Sequence, residues 1–178
     1  MALQQEKNYT IEDIYALPDG KRAELIDGRI YDMAPPSTKH QLLISKLNQK
    51  IANYIDEKGG NCMVLPAPFA VFLNEDDINY VEPDISVICD KNKLNEKGCN
   101  GAPDWIIVSP STSSLGYGIK LFKYRTAGVR EYWIINPMTH TINVYDLESE
   151  KGTYQYNFDD NIPVCIYDDL TIRISELL

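Results

Sequence analysis

The stretch that most constrains this chain is "TKHQLLISKLNQKIANYIDEKGG", residues 38–60. Leu43, Leu47, Ile51 and Ile55 recur every fourth position and so line one face of a helix, which Gly59-Gly60 brings to a stop. Thr38 and Gln41 read as its capping box. No other helix is marked as strongly, and most of the remaining apolar runs are short and β-like. A long one-sided helix among short strands implies a sheet for it to pack against.

The flanking text supplies that sheet. Thr10 with Asp13 reads as a capping box opening a short helix over "IEDIYAL", closed by the turn "PDG" at 18–20. "RAELIDGRIYDMA" reads as a hairpin turning on Asp27-Gly28. "CMVLPAPFAVFLN" and "INYVEPDISVIC" read as consecutive strands separated by the acidic turn "EDD", and "DWIIVS" as a further short run. "SPSTSSLGYG" enters a helix over roughly 117–127 that Gly128 ends. "EYWIINP" and "TINVYDLE" pair as a second hairpin, and short β-like pieces, "TYQYNF" and "PVCIYDDLTIRISEL", complete the chain. With no repeat, low-complexity tract or linker, the expectation is one domain over 1–178, between α/β and α+β in class: a mixed sheet flanked by helices.

Composition narrows the function classes. The chain has 178 residues, 44% of them hydrophobic, enough for a core without cross-links. No run approaches the ~18 apolar residues of a membrane span, and no signal-peptide order is present, so a soluble cytoplasmic protein is expected, with no membrane partner. The four cysteines lack CxxC spacing and only two histidines exist, which argues against zinc. The cysteines are expected as reduced thiols, Cys89 and Cys165 as small core residues. A net charge of −9 weighs against a general nucleic-acid coat protein. The segment "KLFKYRTAGVRE" is nonetheless locally basic, with Lys120, Lys123, Arg125 and Arg130 against Glu131 alone.

One residue interrupts this pattern. "YVEPDISVIC" sets Asp84 in an apolar run, where an unpaired carboxylate costs several kcal/mol and needs a cation, a metal or N–H donors. With period two, Asp84, Ser86 and Ile88 share one face of the strand. Pro83 marks an edge or a strand start. A turn cap or an arginine partner would satisfy Asp84 equally well.

"AELIDGRIY", "EPDISVI", "GAPDWII…SPSTSS" and "GIKLFKYRTAGVREYWIINP" resemble, in that order and over about residues 9–175, the Uma-type restriction-endonuclease family. That family was long catalogued only as a domain of unknown function, and it belongs to the PD-(D/E)XK nuclease superfamily. The resemblance implies a restriction-endonuclease-like fold and a metal-dependent phosphodiesterase acting on DNA, with a homodimer or higher homo-oligomer as the assembly. It implies Mg²⁺, with Mn²⁺ as a substitute, held by Asp84 and by Glu24 of the "ELIDG" segment. Lys120 corresponds to the lysine that assists the attacking water. His40 corresponds to a family position that reaches a phosphate or a water, although a helix-start histidine satisfied by its neighbours reads equally well. The basic segment makes Lys123, Arg125 and Arg130 the expected phosphate contacts. Tyr124, one turn beyond Lys120 on the same helical face, is either a substrate-lining residue or core.

The chain also departs from the family. The family's second strand carries an aspartate, three apolar residues, a glutamate and two more apolar residues before "SPST". Here the text is "PDWIIVSPST", about two residues short, and the acid expected between Ile107 and Val108 is absent. Gly116 stands where an aspartate is usual. Three readings stay open: Asp104, Glu82 or Asp90 substitutes by a shift of the strand; the protein no longer cuts and serves as a nucleic-acid-binding or assembly module; or two residues of the natural strand are missing from this chain. Asp104 itself reads more simply as a turn-closing residue, and Trp105, Tyr132 and Trp133 as core aromatics.

Overall fold

The computed structural model describes residues 7–110, 117–149 and 151–178. In chain order, helix α1 (Ile11–Tyr15) precedes the hairpin β1 (Ala23–Ile26) and β2 (Arg29–Asp32), then helix α2 (Thr38–Glu57). Strands β3 (Met63–Pro66), β4 (Val71–Phe72), β5 (Ile85–Ile88), β6 (Cys99–Asn100) and β7 (Trp105–Val108) lead to helix α3 (Tyr117–Ala127). Strands β8 (Glu131–Asn136), β9 (Thr141–Asp146), β10 (Gly152–Asn157), β11 (Ile162–Pro163) and β12 (Thr171–Ile172) complete the described elements.

The main sheet has six strands in the order β10-β9-β8-β7-β5-β3. Every pair is antiparallel except β7–β8, which α3 connects as a parallel crossover. The mixed sheet flanked by helices is thus as the sequence implies. Both faces of β5 and β7 are buried, which is why their apolar runs are nearly continuous.

The stripe on α2 packs on one face of the sheet. Leu43, Leu47, Ile51 and Ile55 meet Ile85, Val87, Trp105, Ile107 and Trp133 there. Leu47 is wholly buried, so truncation to alanine should cost about 2–5 kcal/mol. The opposite face holds Ile88, Ile106, Val108, Tyr132 and Ile134, with Tyr124 of α3 and Ile26 of β1 laid over them. Trp105, Tyr132 and Trp133 are core residues, as their composition suggests.

Local expectations fared unevenly. The Asp27-Gly28 turn has φ of 49° and 74°, the double left-handed conformation of a tight hairpin. Backbone bonds between Leu25 and Tyr80, at 2.7 and 2.8 Å, fix this hairpin to the chain leading into β5. Asp13 accepts the N–H of Thr10 at 2.8 Å, as expected for α1. The cap of α2, however, is Ser37, whose hydroxyl accepts the N–H of His40 at 3.2 Å; Thr38 is already helical. Pro83 marks a strand start and not an edge: β5 lies between β3 and β7, and the missing N–H falls just before the ladder.

The expectation of four reduced thiols is overturned. Cys62 and Cys89 are joined in a disulfide with Cα atoms 3.9 Å apart, leaving Cys99 and Cys165 free. Register is the reason: Met63 pairs with Ile88, so Cys62 and Cys89 fall opposite each other one step beyond the ladder. Cys89 is consequently half-buried at a strand end instead of filling the core. Among the described residues, no helix is long and apolar enough to cross a membrane.

Candidate active site

Strand β5 begins, and β7 ends, at a cleft of about 430 Å³ roofed by the β1–β2 hairpin and bounded by the starts of α2 and α3. Glu24, His40, Asp84 and Lys120 all line it. They come from β1, α2, the approach to β5, and α3, so the folded sheet is what assembles them.

Asp84 is held at both carboxylate oxygens. Oδ1 lies 3.1 Å from Nε2 of His40, and Oδ2 accepts the backbone N–H of Ser109 at 2.6 Å. The partners are therefore one imidazole and one N–H, not an arginine. The hydrogen bond from His40 to Asp84 raises the imidazole pKa above its usual 6.5, against burial, which lowers it.

Glu24 is nearly buried, pairs through Oε2 with the Lys120 ammonium, and accepts the Glu82 N–H at 3.1 Å. Glu82 in turn pairs with Arg22, with Nε 2.9 Å from Oε2, and accepts the Tyr80 hydroxyl at 2.7 Å. Arg22, Tyr31, Asp32, Ser109 and Tyr117 also line the cleft and were not singled out from the sequence. Arg22 carried a signal, since it directly precedes the "AELIDG" string, but Ser109 acts through its main chain, which no residue type announces.

The other expected substrate contacts lie elsewhere. Tyr124 is wholly buried, its ring 4.8 Å from that of Tyr132, and is core, not cleft wall. Burial, and then the nearby charge of Glu24, push its hydroxyl pKa well up. Lys123 pairs with Asp27 in a neighbouring cavity. Arg125 is exposed on α3 and does not line the cleft. Arg130 pairs with Asp104 at 3.4 Å and with Glu148 at 3.0 Å, away from the cleft. Gly116 lies outside the described residues.

Register locates the missing acid. Ile85 pairs with Ile107, so the next step sets Asp84 against Val108. Val108 shares the Ile106 face and lines the cleft. The position facing Asp84 is therefore a valine. Asp104 cannot replace the acid: it precedes β7 at the other end, accepting the Cys89 N–H at 2.7 Å, which agrees with its turn-closing reading. Asp90 caps a short 3-10 turn by accepting the Asn92 N–H at 3.0 Å, also beyond the far end of β5. Glu82 does line the cleft, but Arg22 and Tyr80 hold it.

The donor set bears directly on Mg²⁺. Among the described residues no group of three or more His, Cys, Asp or Glu side chains is arranged to hold a metal. Of the four carboxylates that line the cleft, Glu82 is held by Arg22 and Tyr80 and Asp32 is exposed on β2, whereas Asp84 and Glu24 are shielded and each keeps lone pairs after its hydrogen bonds. Mg²⁺ characteristically takes one or two carboxylates and completes its shell with waters and substrate phosphate. The residues therefore fit an ion brought in with a phosphate, not a resident ion in a protein cage.

Comparison with known proteins agrees with this architecture. No curated protein matches the chain. Among solved structures, one described as a putative nuclease belonging to DUF820 from Anabaena variabilis superposes with a TM-score of 0.77 at 23% identity. The match covers 94% of this chain and 96% of that one, and at such identity it shows the shared fold. Residues 11–165 match the sequence pattern of the family Uma2, described as "Putative restriction endonuclease". The chain belongs to that family.

Proposed function

We propose that this protein is an endonuclease that hydrolyses phosphodiester bonds of DNA, using Mg²⁺ (or Mn²⁺) bound jointly by Asp84, Glu24 and the substrate phosphate. One observation carries the reading: Asp84, Glu24, His40 and Lys120, drawn from four separate elements, line one cleft with Lys120 salt-bridged to Glu24. When bound, the ion would acidify a water and neutralise phosphate charge. Lys120, steadied by Glu24, is a fixed cation suited to orienting the nucleophilic water or to stabilising charge on the phosphoryl oxygens. His40 keeps the Asp84 carboxylate in place, and the Ser109 N–H sets its second oxygen. Hydrolysis adds the water oxygen to phosphorus and releases one ester oxygen as an alcohol.

Val108 favours a second reading. With a valine facing Asp84 and a net charge of −9, the protein would bind nucleic acid or assemble without cutting. Nicking of supercoiled plasmid in Mg²⁺ or Mn²⁺ separates the two. Nicking that Asp84→Asn abolishes supports the endonuclease. Binding with no nicking above the Asp84→Asn control supports the module.

A further inference from the structure

We propose that Arg22 forms a second phosphate subsite, taking the phosphate next to the one held at Asp84 and Glu24, so that the substrate is a chain of linked nucleotides and not an isolated phosphodiester. The proposal rests on the phosphodiester reading above and specifies its substrate class.

Alternation along β1 decides what faces the cleft. Arg22, Glu24 and Ile26 line it, whereas Ala23 and Leu25 turn to the small core formed with Ile14 and Tyr80. The hairpin pairing extends one step past the named strand, with the Met33 N–H donating to the Arg22 carbonyl at 2.9 Å, so Arg22 keeps this alternation. Successive positions on one strand face stand roughly 6.5 Å apart. That is close to the separation of neighbouring phosphates along an extended nucleic-acid strand. Lys120, paired with Glu24, marks one of the two positions, and Arg22 marks the other.

Burial arranges the two ion pairs alike. Side-chain exposure is 38% for Arg22 against 10% for Glu82, and 23% for Lys120 against 6% for Glu24. In each pair the acid is the inner partner and the cation the outer one, at the cleft surface. One residue links them: Glu82 holds Arg22 on its carboxylate and donates its own N–H to Oε1 of Glu24 at 3.1 Å. The Tyr80 hydroxyl, 2.7 Å from Oε1 of Glu82, fixes the other oxygen of that carboxylate.

The guanidinium is anchored without being exhausted. Arginine presents five N–H donors in a planar fork. Nε and Nη2 of Arg22 both turn to Oε2 of Glu82. Among the described residues no acceptor takes the Nη1 hydrogens. A guanidinium held along one edge and open on another is preorganised for a phosphate, which two N–H groups can meet at once. Asp32, the ladder partner of Ala23, belongs by the same alternation to the other face of the hairpin.

The test is calorimetric titration in Ca²⁺, a hard divalent ion that takes carboxylate and phosphate oxygens. The ligands are a thymidine trinucleotide, which has two phosphodiesters, and its two analogues in which one or the other linkage is a neutral methylphosphonate. The wild-type protein should bind the trinucleotide ~tenfold more tightly than either analogue, the effect of losing one hydrogen-bonded charge. In Arg22→Gln that preference should fall to ~twofold or less, because arginine and phosphate removed together lose the same contact once. The ratio is taken within each protein, so a general weakening cancels; should Arg22→Gln fail to fold, the Arg22→Gln/Glu82→Gln pair, which leaves no buried charge unpaired, takes its place. A preference unchanged in the variant overturns the subsite, as does a wild type that binds all three ligands equally. Equal loss for all three in Arg22→Gln does so too, since Arg22 then only positions Glu82. An Asp84→Asn control separates the failures. Binding that depends on Asp84 but ignores Arg22 removes the subsite alone, whereas absence of any binding removes the phosphodiester reading with it.

Discussion

Ser109 donates its backbone N–H to Oδ2 of Asp84 at 2.6 Å, closing the β5–β7 pair one step beyond its last ladder contact. That bond fits the register in which Val108 stands beside Asp84 on the neighbouring strand, at the cleft. The chemistry available to the site follows from this pairing.

Val108→Glu should therefore create a tighter divalent site. A carboxylate ~4 Å from the ion at an effective dielectric of ~20 contributes about 4 kcal/mol per unit charge before desolvation. Even half of that is more than ~tenfold in affinity. Isothermal titration with Mn²⁺ in the absence of DNA should show weak or no saturable binding for wild type and measurable binding for the variant.

His40→Ala should destabilise the fold. It leaves Asp84, whose side chain is only 19% exposed, with the Ser109 N–H as its remaining partner. A loss of about 1–3 kcal/mol is expected, read as a lower urea midpoint at unchanged slope.

Glu131 supplies a pH prediction. Wholly buried on β8, it accepts from Trp133 Nε1 at 2.6 Å, Cys165 N at 2.9 Å and Ile166 N at 3.0 Å. Burial raises its pKa above the usual 4.5, against these hydrogen bonds, which lower it. Between the ordinary and the raised value the folded state binds more protons than the unfolded. Stability from this group should fall as pH rises through that window and then level off. Glu131→Gln should flatten that segment of the stability profile. Glu131→Ala, which strands three N–H donors, should cost at least about 3 kcal/mol in urea unfolding at neutral pH.

The Cys62–Cys89 link predicts two alkylatable thiols in the unfolded, unreduced protein and four after reduction. With a sequence separation of 27 residues, the chain-entropy account gives about 3.5 kcal/mol of stabilisation. Denaturation midpoints with and without reductant check it.

Local signals carried much of this fold. The four-residue repeat of Leu43, Leu47, Ile51 and Ile55 names the buried face of α2, and Asp27-Gly28 names its hairpin. Strand order had no comparable signal: nothing local says that β7 pairs parallel to β8, or that β5 sits between β3 and β7. The disulfide was hidden for the same reason, because it depends on Met63 meeting Ile88 across that order.

In the site, Asp84 stood out as a charge in an apolar run, and family resemblance added Glu24, His40 and Lys120. Tyr124, one turn past Lys120, was misleading because the two ends of α3 have different surroundings: Tyr117 and Lys120 line the cleft, while Tyr124 is wholly buried against Tyr132. Glu131 counted in the sequence only as an acid diluting a basic segment. Its N–H donors come from residues 165 and 166, which only the folded chain brings near.

Crystals soaked with Mn²⁺, alone and with a short oligonucleotide, would reveal whether an ion completed by substrate phosphate sits between Asp84 and Glu24. An anomalous peak touching both carboxylates and a phosphate oxygen is expected in the second soak, and none at that place in the first. Oligonucleotide bound in the cleft with no ion beside Asp84, or bound on another face of the protein, would contradict that placement.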